Sequence, residues 1–165
     1  MKQKEESVEL SRRQFIKTTI AASTSFLIAG SLPSLVKKAF SETPVEEKID
    51  DVLKRHFGNR KIETAHVDLK APIIAENGAV VPITVVSDLP MEKDNYVKKI
   101  YIYSEGNLQP YVASAELSPA NGKAELALRI KMRKTSNVRA VLETNTGKLY
   151  QGLKSVKVTI GGCGG

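Results

Sequence analysis

Beyond residue 64 the apolar side chains recur at every second position, in short runs. Ala65, Val67 and Leu69 alternate with polar neighbours, as do Val81, Ile83 and Val85. Ile100 and Ile102 face opposite to Tyr101 and Tyr103. Further runs are Ala113, Ala115, Leu117; Ala124, Leu126, Leu128, Ile130; Val138, Ala140, Leu142; and Val156, Val158, Ile160. A period of two places alternate residues on opposite faces of a strand, one face buried and one solvated. Turn formers separate the runs: Glu76-Asn77-Gly78, Asp88-Leu89-Pro90, Glu105-Gly106-Asn107, Pro119-Ala120-Asn121-Gly122 and Asn145-Thr146-Gly147. About seven strands in about 100 residues predict a mainly β chain folded as an immunoglobulin-like sandwich. No Trp and no cysteine pair support that class, so it rests on strand count and spacing. Pro82, which has no N–H to give a ladder, predicts an edge or a bulge.

One helix precedes the strands. Thr43-Pro44-Val45-Glu46 has the form of a capping box with proline at the first helical position. Ile49, Val52, Leu53 and Phe57 follow at helical spacing, and Gly58-Asn59 ends the run.

The N-terminus reads differently. Ser11-Arg12-Arg13-Gln14-Phe15-Ile16-Lys17 precedes a weakly apolar stretch, Thr18 to Gly30, rich in Ala, Ser and Thr. A charged start, an apolar middle and a small-residue end define an export signal, and the pair Arg12-Arg13 marks the twin-arginine route. The stretch is shorter than the roughly 20 residues a membrane-spanning helix needs. Ala39-Phe40-Ser41 offers small residues at both positions a signal peptidase reads, so residues 1–41 are expected to be removed. The mature protein, residues 42–160 plus a tail at 161–165, is then expected in the periplasm, exported already folded and free of the membrane.

Charge changes little. The net +7 is divided almost evenly, with seven Lys or Arg against three Glu in the first 41 residues and a surplus of three over the rest. There is no five-residue basic run and no aromatic-basic interleaving, which argues against nucleic acid as a partner. The two histidines, His56 and His66, have no second ligand at metal spacing. Asp50-Asp51 reads as the polar face of the helix, and Tyr101 and Tyr103 as packing residues. No phosphate loop, nucleophile elbow or Cys/His pair is present. No bound cofactor and no self-sufficient active site are expected.

What remains is Gly161-Gly162-Cys163-Gly164-Gly165. Cys163 is the only cysteine, so in an exported chain it pairs with another chain or serves as a reactive thiol. An idle exposed thiol is a liability in an oxidising compartment. An ordinary thiol, with a pKa near 8.5, is only slightly ionised at neutral pH, so activation is expected from whatever receives the tail. From the residues alone, other readings stay open: a frayed end, a thiol-dependent sulfurtransferase, or a structural protein cross-linked through Cys163.

The terminal Gly-Gly-Cys-Gly-Gly, joined to a twin-arginine signal and a small sandwich, resembles the SoxY family, carrier subunits of the Sox thiosulfate-oxidation system. That resemblance covers essentially the whole chain. It implies a non-enzymatic carrier on which Cys163 is the covalent attachment site and Gly161, Gly162, Gly164 and Gly165 form the arm. It implies a heterodimer with a SoxZ-like subunit, a second immunoglobulin-like protein. A c-type cytochrome complex would join thiosulfate to Cys163 as an S-thiosulfonate. A dimanganese hydrolase would then release sulfate, leaving a persulfide.

Overall fold

The computed structural model describes residues 45–161. The predicted signal with Arg12 and Arg13, the helix-capping Thr43-Pro44, and Gly162 to Gly165 with Cys163 all lie outside the described residues.

The chain runs α1 (Ile49–Phe57), β1 (Ile62–Glu63), β2 (Val67–Lys70), β3 (Ile74–Asn77), β4 (Val81–Ser87), β5 (Val97–Ser104), β6 (Tyr111–Glu116), a single 3-10 turn (Pro119–Asn121), β7 (Glu125–Ile130), β8 (Ser136–Thr144) and β9 (Leu149–Ile160). The larger sheet has the order β1-β9-β8-β5-β6, with β3 also on β9; the smaller is β2-β4-β7. The two-residue alternation builds the space between them. Val81, Ile83 and Val85 on β4, Ile100 and Ile102 on β5, and Val138, Ala140 and Leu142 on β8 are all buried in one apolar cluster. Each contributes about 1.5–3 kcal/mol for its larger side chains. Val97 and Ile100 are an odd number of residues apart yet share that core; a register shift between Val97 and Lys99 absorbs the extra residue. The mainly β, immunoglobulin-like sandwich behind a helix is therefore the observed architecture, with one helix and nine strands rather than seven among the described residues.

The two extra strands are short. β1 and β3 both pair parallel to β9, β1 at Leu149 and Tyr150 and β3 at Lys157 to Ile160. Between them the chain crosses to the smaller sheet as β2, directly over Gly152. A Cβ on Gly152 would lie 2.8 Å from the Val67 carbonyl oxygen, so this crossing needs a glycine beneath it. β2 begins at Val67 rather than Ala65, because His66 turns the chain with φ 59°. Such a torsion costs a non-glycine residue on the order of 1 kcal/mol. Local bonds hold it: His66 Nδ1 lies 2.9 Å from Asp88 Oδ1, and Ser87 Oγ donates to the His66 carbonyl at 2.8 Å.

Pro82 lies on the central strand of the smaller sheet, but the β2 ladder stops at Thr84. Its β2 side is thus a local edge, as a residue without an N–H requires.

The helix starts later than the capping pattern predicts. Lys48 is its N-cap, with no side-chain cap, and residues 45–48 are non-helical. Glu46 is engaged elsewhere, by Arg133 Nη2 at 2.9 Å and Lys134 Nζ at 2.6 Å, while Glu47 N donates to the Leu108 carbonyl at 2.9 Å. Those long-range bonds draw the segment out as a strap.

Helix α1 covers the outer face of the larger sheet. Val52 and Phe57 meet Tyr103, Val141 and Leu149 in a second buried cluster. Tyr103 is fully buried and its hydroxyl meets His56 Nδ1 at 2.8 Å; Tyr101 donates to Glu143 Oε2 at 3.0 Å. Burial, then the bond to Glu143, pushes Tyr101 up to about 12, and burial raises Tyr103 as well. Both stay protonated and act as packing residues. Desolvation, with Arg55 nearby, lowers His56 below its usual 6.5. The folded state therefore disfavours protonation at His56. Its contribution is complete above 6.5 and is lost as pH falls through the lowered folded value. The melting temperature is expected to fall between pH 7 and pH 5, above the carboxylate range. His56→Gln, which keeps an acceptor for Tyr103 without titrating, should flatten that slope. Identical slopes would contradict it.

Candidate functional site at the end of the last strand

Strand β9 ends at Ile160, where the alternation placed its end, and Gly161 is the last residue described. What holds this point is a platform that the sequence reading missed. Residues 131–135, between β7 and β8, form it. Asn107, only 4% exposed, inserts its side chain there: Nδ2 donates to the Lys131 carbonyl and Oδ1 accepts from Arg133 N, both at 2.9 Å. Ser104 Oγ adds a bond to the same Oδ1 at 3.2 Å. Met132, fully buried, donates from its N–H to the Gly78 carbonyl at 2.7 Å, and Gly78 N donates to the Ile160 carbonyl at 2.7 Å. Thr135 Oγ1 accepts from Val158 N at 2.9 Å. Thr159 Oγ1 donates to the Glu76 carbonyl at 2.8 Å, fixing β3 against the same strand end.

Glu105-Gly106-Asn107 was legible as a turn, but the clamp was not. Its partners at Lys131 and Arg133 lie more than a strand away along the chain, and no local pattern announces such pairing.

Electrostatics at this end are mixed. Arg133 and Lys134 are engaged by Glu46, whose carboxyl is held below the usual range first by the Lys134 hydrogen bond and then by the charge of Arg133. Lys131 and Lys157 are exposed on the same platform and strand end. Ile160 at the strand end is 69% exposed, and Ile73 and Ile74, beside Lys157 further back along β9, are exposed too.

Neither histidine reaches this end. His66 stacks edge-on against Tyr150, ten residues before Ile160 on the same strand, about 33 Å away at the usual rise. His56 bonds Tyr103, whose partner Arg139 pairs with Leu153, so it sits about 23 Å back along β9. Three residues beyond Ile160 carry Cys163 at most about 10 Å from the strand. Both imidazoles therefore lie well back from the strand end at Ile160. Among the described residues, no three His, Cys, Asp or Glu side chains gather to hold a metal ion. Of the sequence-predicted site residues, the structure places Gly161 alone, against Arg133; the others lie outside the described residues.

Comparison with known proteins gives one family. The profile described as "Sulfur oxidation protein SoxY" matches residues 53–163. The chain is 38% identical to the sulfur carrier protein SoxY from Chlorobium limicola f thiosulfatophilum, over 67% of this chain and 91% of that one, with a TM-score of 0.57. A superoxide reductase (neelaredoxin) from Ignicoccus hospitalis matches at 20% identity over 58% of this chain and 81% of its own, with a TM-score of 0.50. That second likeness is one of fold alone. No curated protein sequence matches.

Proposed function

Since the chain belongs to the SoxY family of sulfur-oxidation carrier proteins, we propose that it holds sulfur covalently on Cys163 and presents it to partner enzymes in the periplasm. The observation that carries this reading is the strand end itself. β9 stops at Ile160 on a clamped platform, and the sequence continues into Gly-Gly-Cys-Gly-Gly with its single thiol.

The chemistry divides between this chain and its partners. Oxidative loading forms an S–S bond between Cys163 Sγ and the terminal sulfur of thiosulfate; the thiol proton leaves and two electrons pass to a c-type cytochrome complex. Hydrolysis at a dimanganese enzyme then breaks the bond to the sulfone sulfur. Water supplies the oxygen of the departing sulfate, and Cys163 keeps a persulfide. This chain contributes the attachment atom and its position. The distances from His56 and His66 support leaving activation to the partners, so that the protein is a carrier without an active site of its own.

A SoxZ-like subunit is the proposed companion. Support for it lies at β6, which pairs with β5 on one side and with no other described strand. Ala113, Ser114 and Ala115 on β6 are only half-exposed, leaving a low-relief edge suited to a second sandwich.

Intact-mass measurement of protein taken from cells metabolising thiosulfate tests the reading. Sulfur adducts confined to Cys163 are the expected result, and an unmodified chain would count against it.

A further inference from the structure

Gly161 is exposed, so burial does not call for a glycine there. Nor does torsion: among the described residues the glycines with positive φ are Gly58, Gly122 and Gly147. Space does. A Cβ built on Gly161 would fall within 3.0 Å of the Arg133 carbonyl oxygen and 3.4 Å from its carbon. A flexible side-chain tip could yield to such a methyl, but this is backbone, and it is tied on both sides. Arg133 N is held by Asn107 Oδ1 at 2.9 Å, Met132 N by the Gly78 carbonyl at 2.7 Å, and Thr135 by Val158 at 2.9 Å. On the other side, the Ile160 carbonyl is held by Gly78 N at 2.7 Å. Two backbone segments, tied to each other through Gly78 and through Thr135, therefore meet where a hydrogen fits and a methyl does not.

We infer that Gly161 belongs to the fold rather than to the arm: its contact with the Arg133 carbonyl fixes the direction in which the chain leaves toward Cys163. Gly161 is then a positioning residue that touches no substrate. This rests on the carrier reading, since a direction of exit matters only if partner enzymes take the thiol from it. It also separates the terminal glycines by role. Gly161 is required by a contact within the protein, whereas Gly162, Gly164 and Gly165 are not assigned by this contact.

The test uses the full chain with Gly161→Ala, and with Gly164→Ala as the same methyl placed beyond the thiol. In Gly161→Ala the methyl must push the chain off Arg133. Loading of Cys163 from thiosulfate by the cognate cytochrome complex is expected to slow about tenfold or more, because a misplacement near 1 Å can cost on the order of 100-fold. Alkylation of Cys163 by iodoacetamide, which needs no docking geometry, should be unchanged. Amide exchange at Gly78 and Arg133 should quicken in Gly161→Ala and stay at the wild-type rate in Gly164→Ala. Wild-type loading by Gly161→Ala, or unaltered exchange at both amides, overturns the inference. If the wild-type protein takes up no sulfur, the carrier reading fails instead, and the exchange comparison still decides whether Gly161 is fixed by Arg133.

Discussion

Cys163→Ser is expected to abolish sulfur loading while leaving the folded protein intact. Serine keeps the size and loses the one atom that forms an S–S bond, and no second cysteine exists to substitute for it. The residue lies three positions past Ile160, the last residue of β9, and the buried members of the apolar clusters between the sheets and under α1 run from Val52 to Val156. Stability should therefore stay within about 0.5 kcal/mol of wild type, the range of substitutions away from packed features. With thiosulfate and the cytochrome complex, wild type should pass two electrons per thiol and gain mass at Cys163, and the variant should do neither. Residual loading above the enzyme-free control would show that another group accepts the sulfur.

The second large effect concerns export. Replacing Arg12 and Arg13 together by lysine keeps both charges but removes the planar guanidinium groups, whose fixed donor geometry an ammonium cannot reproduce. If the pair is the recognition element of a twin-arginine signal, the double variant should remain in the cytoplasm at its precursor mass, folded and with a normal melting temperature. Fractionation and intact mass check this. Processed double variant in the periplasm at the wild-type level would remove the argument for that route.

Much of the sandwich was legible because burial on one face leaves a period of two. Val81, Ile83 and Val85 on β4 and Val138, Ala140 and Leu142 on β8 show it without interruption, and all are buried. The pattern failed where other constraints won. On β9, inward positions carry Gly152, pressed by Val67, and Lys154, exposed beside a stretch of edge between β1 and β3. The apolar alternation therefore surfaces only from Val156, and the first seven residues of a 12-residue strand went unread. β1 and β3, two and four residues long, are too short to show a period. The helix start was misplaced because Glu46 serves distant Arg133 and Lys134 instead of a local cap.

The candidate site divides the same way. Cys163 stands out in sequence by being alone among glycines. Its platform does not, since Asn107 reads as one more turn residue until its bonds to Lys131 and Arg133 are seen. Gly161 looks like part of a uniform run, and only the Arg133 carbonyl distinguishes it.

A carrier differs from a merely exposed thiol in holding sulfur on Cys163 during turnover. Intact-mass spectrometry under non-reducing conditions, on protein isolated from cells actively metabolising thiosulfate, tests it most directly. Mature chains are expected to carry persulfide and S-thiosulfonate increments, located by fragmentation on the terminal peptide containing Cys163 and removed by reductant. Chains bearing only a free thiol, sulfur located on any other residue, or a stable disulfide between two copies of the chain would contradict it.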